Sequence, residues 1–279
     1  MKFESNFTAP ISETPEAMEH VGEVREIEFG QEGKRLKGRI YFPETQKPNM
    51  PTVLIVHGWR GDQLGKSKIC ALASAPTGYA AMTFDMRGHG QTPGDLLQLT
   101  FQDFMDDIKA AFDELAHTPG IDPNNITLVS TSFSSYLAAL LTRERPVRNL
   151  VLRSPGNYRD EDVFGANAHI PAADLVEKRR AETYAWRLLP QGYENNSALA
   201  ALHDFKGDVL LVAAGNDEYV PTQTTANFAN AVEDKTHLTT HVIEGASHGL
   251  KEEASVADFT KVLSNWIAQE KAKSSTAAK

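Results

Sequence analysis

Three residues far apart in the sequence could together carry out acyl transfer: Ser132, Asp217 and His248. Ser132 lies in "ITLVSTSFSSYLAALL" (126–141), a short apolar strand, a cluster of small residues and a helical run. A sharp strand-to-helix turn of this kind holds a serine Oγ above a sheet. A serine hydroxyl is a poor nucleophile near neutral pH, so a base must take its proton during attack. Histidine, with an ordinary pKa of about 6.5, can accept that proton and return it. A carboxylate on the far ring nitrogen fixes the tautomer. The tetrahedral intermediate then needs two preorganised N–H donors, and loss of one typically costs about 10²–10³ in turnover.

Each of these segments also has a plainer reading. The serine turn reads S-x-S-x-S, with Ser130 and Ser134 where such turns usually carry glycine, and could be an ordinary serine-rich strand end. Ser130 would point into the packing, while Ser134 and Ser135 could cap the following helix. Asp217, in "DEYVP" after an apolar strand, could cap the helix that starts near Thr222. His248 stands in "EGASHGL" on a loop where histidines are usually just exposed, although Gly245 and Gly249 flank it. In "VHGWRGD" (56–62), His57 suits a bracing role, and the next backbone N–H past the His-Gly pair belongs to Trp59.

The elements that would position these residues follow from hydrophobic periodicity. Two extended runs, Val24–Gly30 and Arg35–Pro43, read as a hairpin around "QEG". Strands are then expected at Thr52–Gly58, Tyr79–Asp85, 125–130, Val147–Ser154, Asp208–Ala214 and Leu238–Ile243. Helical patterning falls at Leu64–Ala75, Phe101–His117, Ala138–Arg143, Thr222–Val232 and Ser255–Lys271. The alternation predicts an α/β chain: a mostly parallel eight-stranded sheet, opened by an antiparallel hairpin and covered by helices on both faces. Ser132, Asp217 and His248 would all lie at the carboxyl ends of strands, where ligands bind in open parallel sheets.

The stretch 155–206 interrupts the rhythm, with helical patterning at Ala172–Leu189 and no clear strand, and is too long for a simple connector. It reads as an inserted helical cap. Its Phe164, Tyr184, Trp186 and Tyr193 could line a pocket or form the cap's own small core. The organisation expected is therefore a polar leader at 1–22, a core at 23–154 and 207–272, a cap at 155–206 and a solvated tail at 273–279.

Bulk composition narrows the function classes. The chain has 279 residues, 41% hydrophobic and 23% charged, the balance of a soluble globular protein. A formal net charge of -9 argues against nucleic acid or an anionic membrane surface as partner. Cys70 is the single cysteine, so no internal disulfide can form. Neither a signal peptide nor a run of about 18 apolar residues is visible, and a cytoplasmic location is expected. Phosphate-loop, CxxC and HExxH patterns are likewise missing from the sequence.

The motifs gain weight from their order. Ser132, then Asp217, then His248 is the chain order of the α/β-hydrolase triad, with the His-Gly loop upstream of the serine. Between them, "FDMRGHGQT" (Phe84–Thr92) resembles the D-x-R-G-H-G loop of that superfamily. From about Val24 to Trp266 the chain therefore resembles the α/β-hydrolases, particularly cap-bearing serine-aminopeptidase-like and dienelactone-hydrolase or feruloyl-esterase-like members. The resemblance implies Ser132 as nucleophile, His248 as general base, Asp217 as its orienting carboxylate, and Trp59 and Phe133 as oxyanion N–H donors. It implies a mainly structural role for Asp85, Arg87, Gly88, His89 and Gly90, and neither metal nor organic cofactor. The elbow, S-x-S-x-S for G-x-S-x-G, is the one departure.

Two function classes follow. One is a serine hydrolase acting on a small-molecule ester of small or medium acyl chain, with short-peptide aminopeptidase, thioesterase and C–C hydrolase chemistry open to the same triad. For a peptidase, Asp160, Glu161 and Asp162 could hold a substrate α-amine, or form a solvated acidic run. The other class is a non-catalytic ligand-binding protein on the same fold, its elbow having drifted.

Overall fold

The computed structural model describes residues 20–277. The expected leader up to residue 19 and the last two residues of the tail lie outside the described residues. Eight strands form one sheet: β1 (Val21–Phe29), β2 (Leu36–Pro43), β3 (Met50–Val56), β4 (Ala80–Asp85), β5 (Ile121–Thr131), β6 (Asn149–Arg153), β7 (Val209–Ala214) and β8 (Leu238–Ile243). Their order across the sheet is β1-β2-β4-β3-β5-β6-β7-β8. β2 pairs antiparallel with both β1 and β4, and every later pairing is parallel. Eight helices accompany them among the described residues: α1 (Lys66–Ser74), α2 (Phe101–Ala116), α3 (Phe133–Leu141), α4 (Asp160–Val163), α5 (Arg180–Arg187), α6 (Ser197–Asp204), α7 (Thr222–Ala231) and α8 (Glu253–Ala277).

The central strands are unbroken apolar runs because both of their faces are buried. Alternate residues divide between two cores. Leu54, Leu128, Leu150, Leu152 and Leu211 pack under α2, α3, α6 and α7. Val53, Ile55, Val129, Val151, Leu210 and Val212 pack under α1 and α8, where Trp266 is almost fully enclosed. The edge strand β1 alternates partly buried with exposed residues, and its Glu26 and Glu28 pair with Arg39 and Lys37 of β2. Charges along an edge discourage pairing with another sheet.

Between β6 and β7 the described chain forms α4, a π-helical turn at Asp174–Lys178, α5 and α6. α6 was not anticipated from the sequence. Its start is fixed by Asn196, whose side chain accepts the Leu199 N–H at 3.1 Å and donates to the Tyr158 carbonyl at 2.8 Å. Leu199 and Leu202 of α6 are fully buried in the same core as α3. No helix among the described residues is long and apolar enough to cross a membrane.

Candidate active site

Ser132 joins β5 to α3 with φ 55° and ψ -115°, a conformation that L-residues adopt only under constraint. The constraint is visible in its backbone bonds. Its N–H donates to the Arg153 carbonyl at 2.9 Å, and its carbonyl accepts the N–H of Gly156 at 2.9 Å and of Ser135 at 3.1 Å. Ser130 and Ser134 are fully buried, yet their hydroxyls are satisfied. Ser130 Oγ lies 3.2 Å from the Val151 carbonyl and from Ser135 Oγ. Ser134 Oγ accepts the Thr131 N–H at 3.0 Å and donates toward the Val56 and Thr131 carbonyls. Each extra hydroxymethyl group thus ties the turn to a neighbouring backbone.

Ser132 Oγ is 3.0 Å from His248 Nε2. On the far side of the ring, His248 Nδ1 is 2.9 and 2.8 Å from the two carboxylate oxygens of Asp217. Asp217 follows β7 and His248 follows β8, so parallel pairing of adjacent strands sets their separation. Asp217 Oδ1 also accepts the N–H groups of Tyr219 (2.9 Å) and Val220 (2.7 Å). Burial pushes the Asp217 carboxyl up, but the bonds from His248 and these two N–H groups outweigh it and hold the carboxyl below its ordinary range. The histidine loop is held as well: the His248 N–H donates to Glu218, and its carbonyl accepts from the buried Arg153 guanidinium at 2.7 Å. This arrangement can draw a proton from Ser132 and stabilise the imidazolium that results.

The loop after β3 passes close over the elbow. A Cβ on Gly58 would sit 3.0 Å from the Thr131 carbonyl oxygen and 3.4 Å from Ser132 Cβ, so a side chain there would press on the elbow and glycine eases the close approach. The N–H groups of Trp59 and Phe133 have no protein acceptor among the described residues. His57 braces this loop: its Nε2 accepts the Met86 N–H at 3.1 Å, which leaves Nδ1 to donate to the Gly58 carbonyl at 2.8 Å. Burial, with neighbouring His89 adding to it, pulls the His57 pKa down to about 3, so the ring is neutral. His89 is engaged with the Arg87 carbonyl and the Arg60 N–H. Asp85 accepts the backbone N–H groups of Gln63 and Gln91, and Arg87 pairs with Asp103 and Asp107. These residues bind loops to one another and do not reach Ser132.

Residues 47–201 match the profile of the family described as serine aminopeptidase, S33. The chain belongs to this family. An uncharacterized Mycobacterium tuberculosis protein is 31% identical over 223 residues, covering 78% of this chain and 69% of that one. The quorum-quenching protein AidA of Acinetobacter baumannii is 28% identical over 109 residues, 39% of this chain and 36% of AidA. Among solved structures, Est1E of Butyrivibrio proteoclasticus with ferulic acid bound superposes with a TM-score of 0.68 at 16% identity, covering 88% of this chain and 99% of that one. Dienelactone hydrolase of Anabaena variabilis gives 0.60 at 17% identity, with 88% and 97% covered. This member of the serine aminopeptidase family thus has the α/β-hydrolase fold.

In this S33-type chain two cavities meet at Ser132, Trp59, Arg60 and His248. One, of about 340 Å³, runs toward α1 and α8 past Arg153, Cys70 and Phe259. Burial pushes the Cys70 thiol up to about 12, which leaves it unreactive. The other, of about 230 Å³, lies under the segment between β6 and β7 and is lined by Tyr158, Leu175, Val176, Thr183, Arg187 and Tyr219, with Arg180 also on its wall.

The aromatic residues expected to line a pocket are elsewhere. Phe164 is exposed, and neither Tyr184 nor Trp186 lines either cavity. From α5 the cavity is lined by Arg180, Thr183 and Arg187, while the Trp186 ring lies under the Arg159 guanidinium. Tyr193 stacks on His203. The acidic run is also engaged: Asp160 accepts from the Ser197 N–H and hydroxyl, and Asp162 pairs with Arg179. Neither they nor Glu161 line the two cavities.

Sequence reasoning missed Glu177, on the π-helical turn. Its Oε1 accepts from the Trp59 indole at 2.7 Å and from Arg60 Nε at 2.6 Å, so the segment over the site grips the loop after β3. These bonds, that from Arg60 foremost, pull the Glu177 carboxyl down to about 2. Among the described residues no group of three or more His, Cys, Asp or Glu is placed to hold a metal ion.

Proposed function

We propose that this protein is a serine hydrolase that cleaves carboxylic esters of small or medium acyl chain through an acyl-enzyme. Ser132 Oγ attacks the ester carbonyl as His248 Nε2 takes its proton. Asp217 holds Nδ1–H and stabilises the imidazolium. The Trp59 and Phe133 N–H groups receive the oxyanion. His248 returns the proton to the leaving alkoxide, then draws a proton from water, whose attack on the acyl-serine restores the enzyme. The segment 155–206 serves as the cap that shapes the acyl and leaving-group sites. A cytoplasmic location belongs to this reading, and a single buried cysteine accords with it.

The observation that carries the proposal is the unbroken hydrogen-bond chain from Ser132 through His248 to Asp217, with links of 3.0 and 2.8 Å. The strained backbone of Ser132 also counts against a drifted, non-catalytic elbow, since a turn released from catalysis has no reason to keep a costly conformation. An ester is favoured over a peptide because no acidic side chain lines the cavity beneath the cap, where an α-amine would need one. The test is intact-mass analysis after treatment with a fluorophosphonate. One adduct on Ser132, lost in His248→Ala, is expected together with turnover of simple esters. A folded protein that forms no adduct and hydrolyses no ester would refute the reading.

A further inference from the structure

The cavity beneath the cap contains a charge that the acyl-enzyme scheme does not use. Arg187 is only 8% exposed and lines that cavity beside Ser132 and His248. Its Nε donates to the Asn157 carbonyl at 3.0 Å, Nη1 lies 3.4 Å from the Tyr219 carbonyl, and the guanidinium sits over the Tyr158 ring. Among the described residues no carboxylate pairs with it. Nη2 stands beside the backbone that follows β6: a Cβ on Gly156 would lie 3.0 Å from it. Removing a guanidinium from water without a counter-ion costs several kcal/mol, roughly, which neutral carbonyl acceptors offset only in part. Arg180, one face-repeat earlier on α5, stands on the same wall over the Tyr219 ring; it makes no ion pair within 4.0 Å among the described residues, although Glu177 feels its charge. Arg60 is already neutralised by Glu177. No aspartate or glutamate lines this cavity.

We infer that the cavity under the cap receives an anionic group of the substrate, a carboxylate that forks onto Arg187 with Arg180 completing the positive wall. The inference rests on the hydrolase reading and narrows it to esters carrying an acid group on one half. A planar guanidinium matches a carboxylate through two parallel hydrogen bonds. The chain's overall negative charge does not oppose this at close range, because charges beyond about 8 Å are screened at physiological salt. A volume of about 230 Å³ suits a short aliphatic or single-ring acid.

The test uses ester pairs that differ by one carboxylate. Para-nitrophenyl valerate against mono-para-nitrophenyl adipate places the charge on the acyl half. Meta-acetoxybenzamide against meta-acetoxybenzoate places it on the leaving half. In at least one pair the charged ester is expected to show a kcat/KM about 10- to 100-fold higher, the usual worth of a charge-assisted contact. In Arg187→Gln that ratio falls toward one, with the loss in KM for the charged ester, and Arg187→Lys recovers part of it. If Arg187→Gln does not fold, the wild-type ratio, its decline with added salt and the Arg187→Lys value decide. An enzyme that labels at Ser132 but prefers the neutral ester in both pairs overturns this inference and leaves the hydrolase standing. So does a preference that survives Arg187→Gln. A folded protein with no adduct on Ser132 overturns the hydrolase reading and this one with it.

Discussion

The Ser134 hydroxyl, two residues past the nucleophile position, reaches the Val56 carbonyl oxygen of the adjacent strand β3 at 3.1 Å while accepting the Thr131 N–H. A glycine there would leave both groups to find other partners. The serine-flanked turn is a tied version of the usual elbow, and the two serines are therefore expected to separate on mutation. Ser132→Ala should abolish fluorophosphonate labelling and lower turnover by about 10³ or more. Ser134→Ala should keep labelling and lose about 1–3 kcal/mol of stability, the cost of an unsatisfied buried N–H. Equal loss of labelling in both folded variants would remove Ser132 from its assigned role.

Asp217→Asn should leave the fold unchanged by circular dichroism and reduce kcat by about 10⁴, because an amide stabilises the wrong imidazole tautomer. The sign of the pH effect follows from its depressed carboxyl. The stabilisation from ionised Asp217 is complete above its unfolded value of about 3.9 and is lost as pH falls through the lower folded value. Acid inactivation assigned to this group should thus appear below about pH 4. A variant within tenfold of wild type would show that Asp217 does not orient His248.

His57 gives an effect of the same sign in a higher pH window. Its folded pKa, pulled down to about 3, lies below the unfolded value of 6.5. Between those values the unfolded chain binds the proton first, so stability rises with pH across the window and is lost on acidification. Urea midpoints should decline from about pH 7 to pH 5, and more shallowly in His57→Asn. Parallel slopes would mean that folding does not lower the His57 pKa.

Glu177→Ala cuts the hold of the cap on the loop that carries Trp59. We expect kcat to fall by about tenfold or more as the Trp59 N–H loses its fixed position, within the range seen for weakened oxyanion donors. Because the Glu177 carboxyl is drawn down to about 2, the defect should be constant across neutral and mildly acidic pH. Unchanged kcat with altered tryptophan fluorescence would assign the contact to the cap alone.

Much of this was legible in the sequence, for identifiable reasons. β7 is a buried apolar run and β8 a short run rich in β-branched residues, each bounded by polar residues, so the positions of Asp217 and His248 beyond their ends could be read directly. α2 showed its buried stripe of Phe104, Ile108, Phe112 and Leu115 at helical spacing. α6 was hidden because its "SALAALHD" is short and its start depends on a long-range bond from Asn196 to Tyr158. Arg187 was missed because a helical arginine between Trp186 and Leu188 reads as surface. One signal was available: no acid stands three or four residues to either side of it, unlike Lys178, which pairs with Asp174. The aromatic residues drew attention by size, yet α5 lines the cavity with Arg180, Thr183 and Arg187.

The chain leaves the sheet at β6 and re-enters it at β7, two strands hydrogen-bonded side by side. Whatever lies between can therefore be exchanged without altering strand order or register, which makes this stretch the natural unit for grafting a different selectivity onto the same chemistry. The structure also marks where such a graft must be cut. Gly156 is best kept, because its N–H anchors the Ser132 carbonyl and a Cβ there would lie only 3.2 Å from that oxygen. At the other end the junction belongs at Asn196, since α6 beyond it is part of the central core. A donor segment spliced within these limits would bring its own recognition surface, and would work at full rate only if it also carried an acid able to reach Trp59 and Arg60.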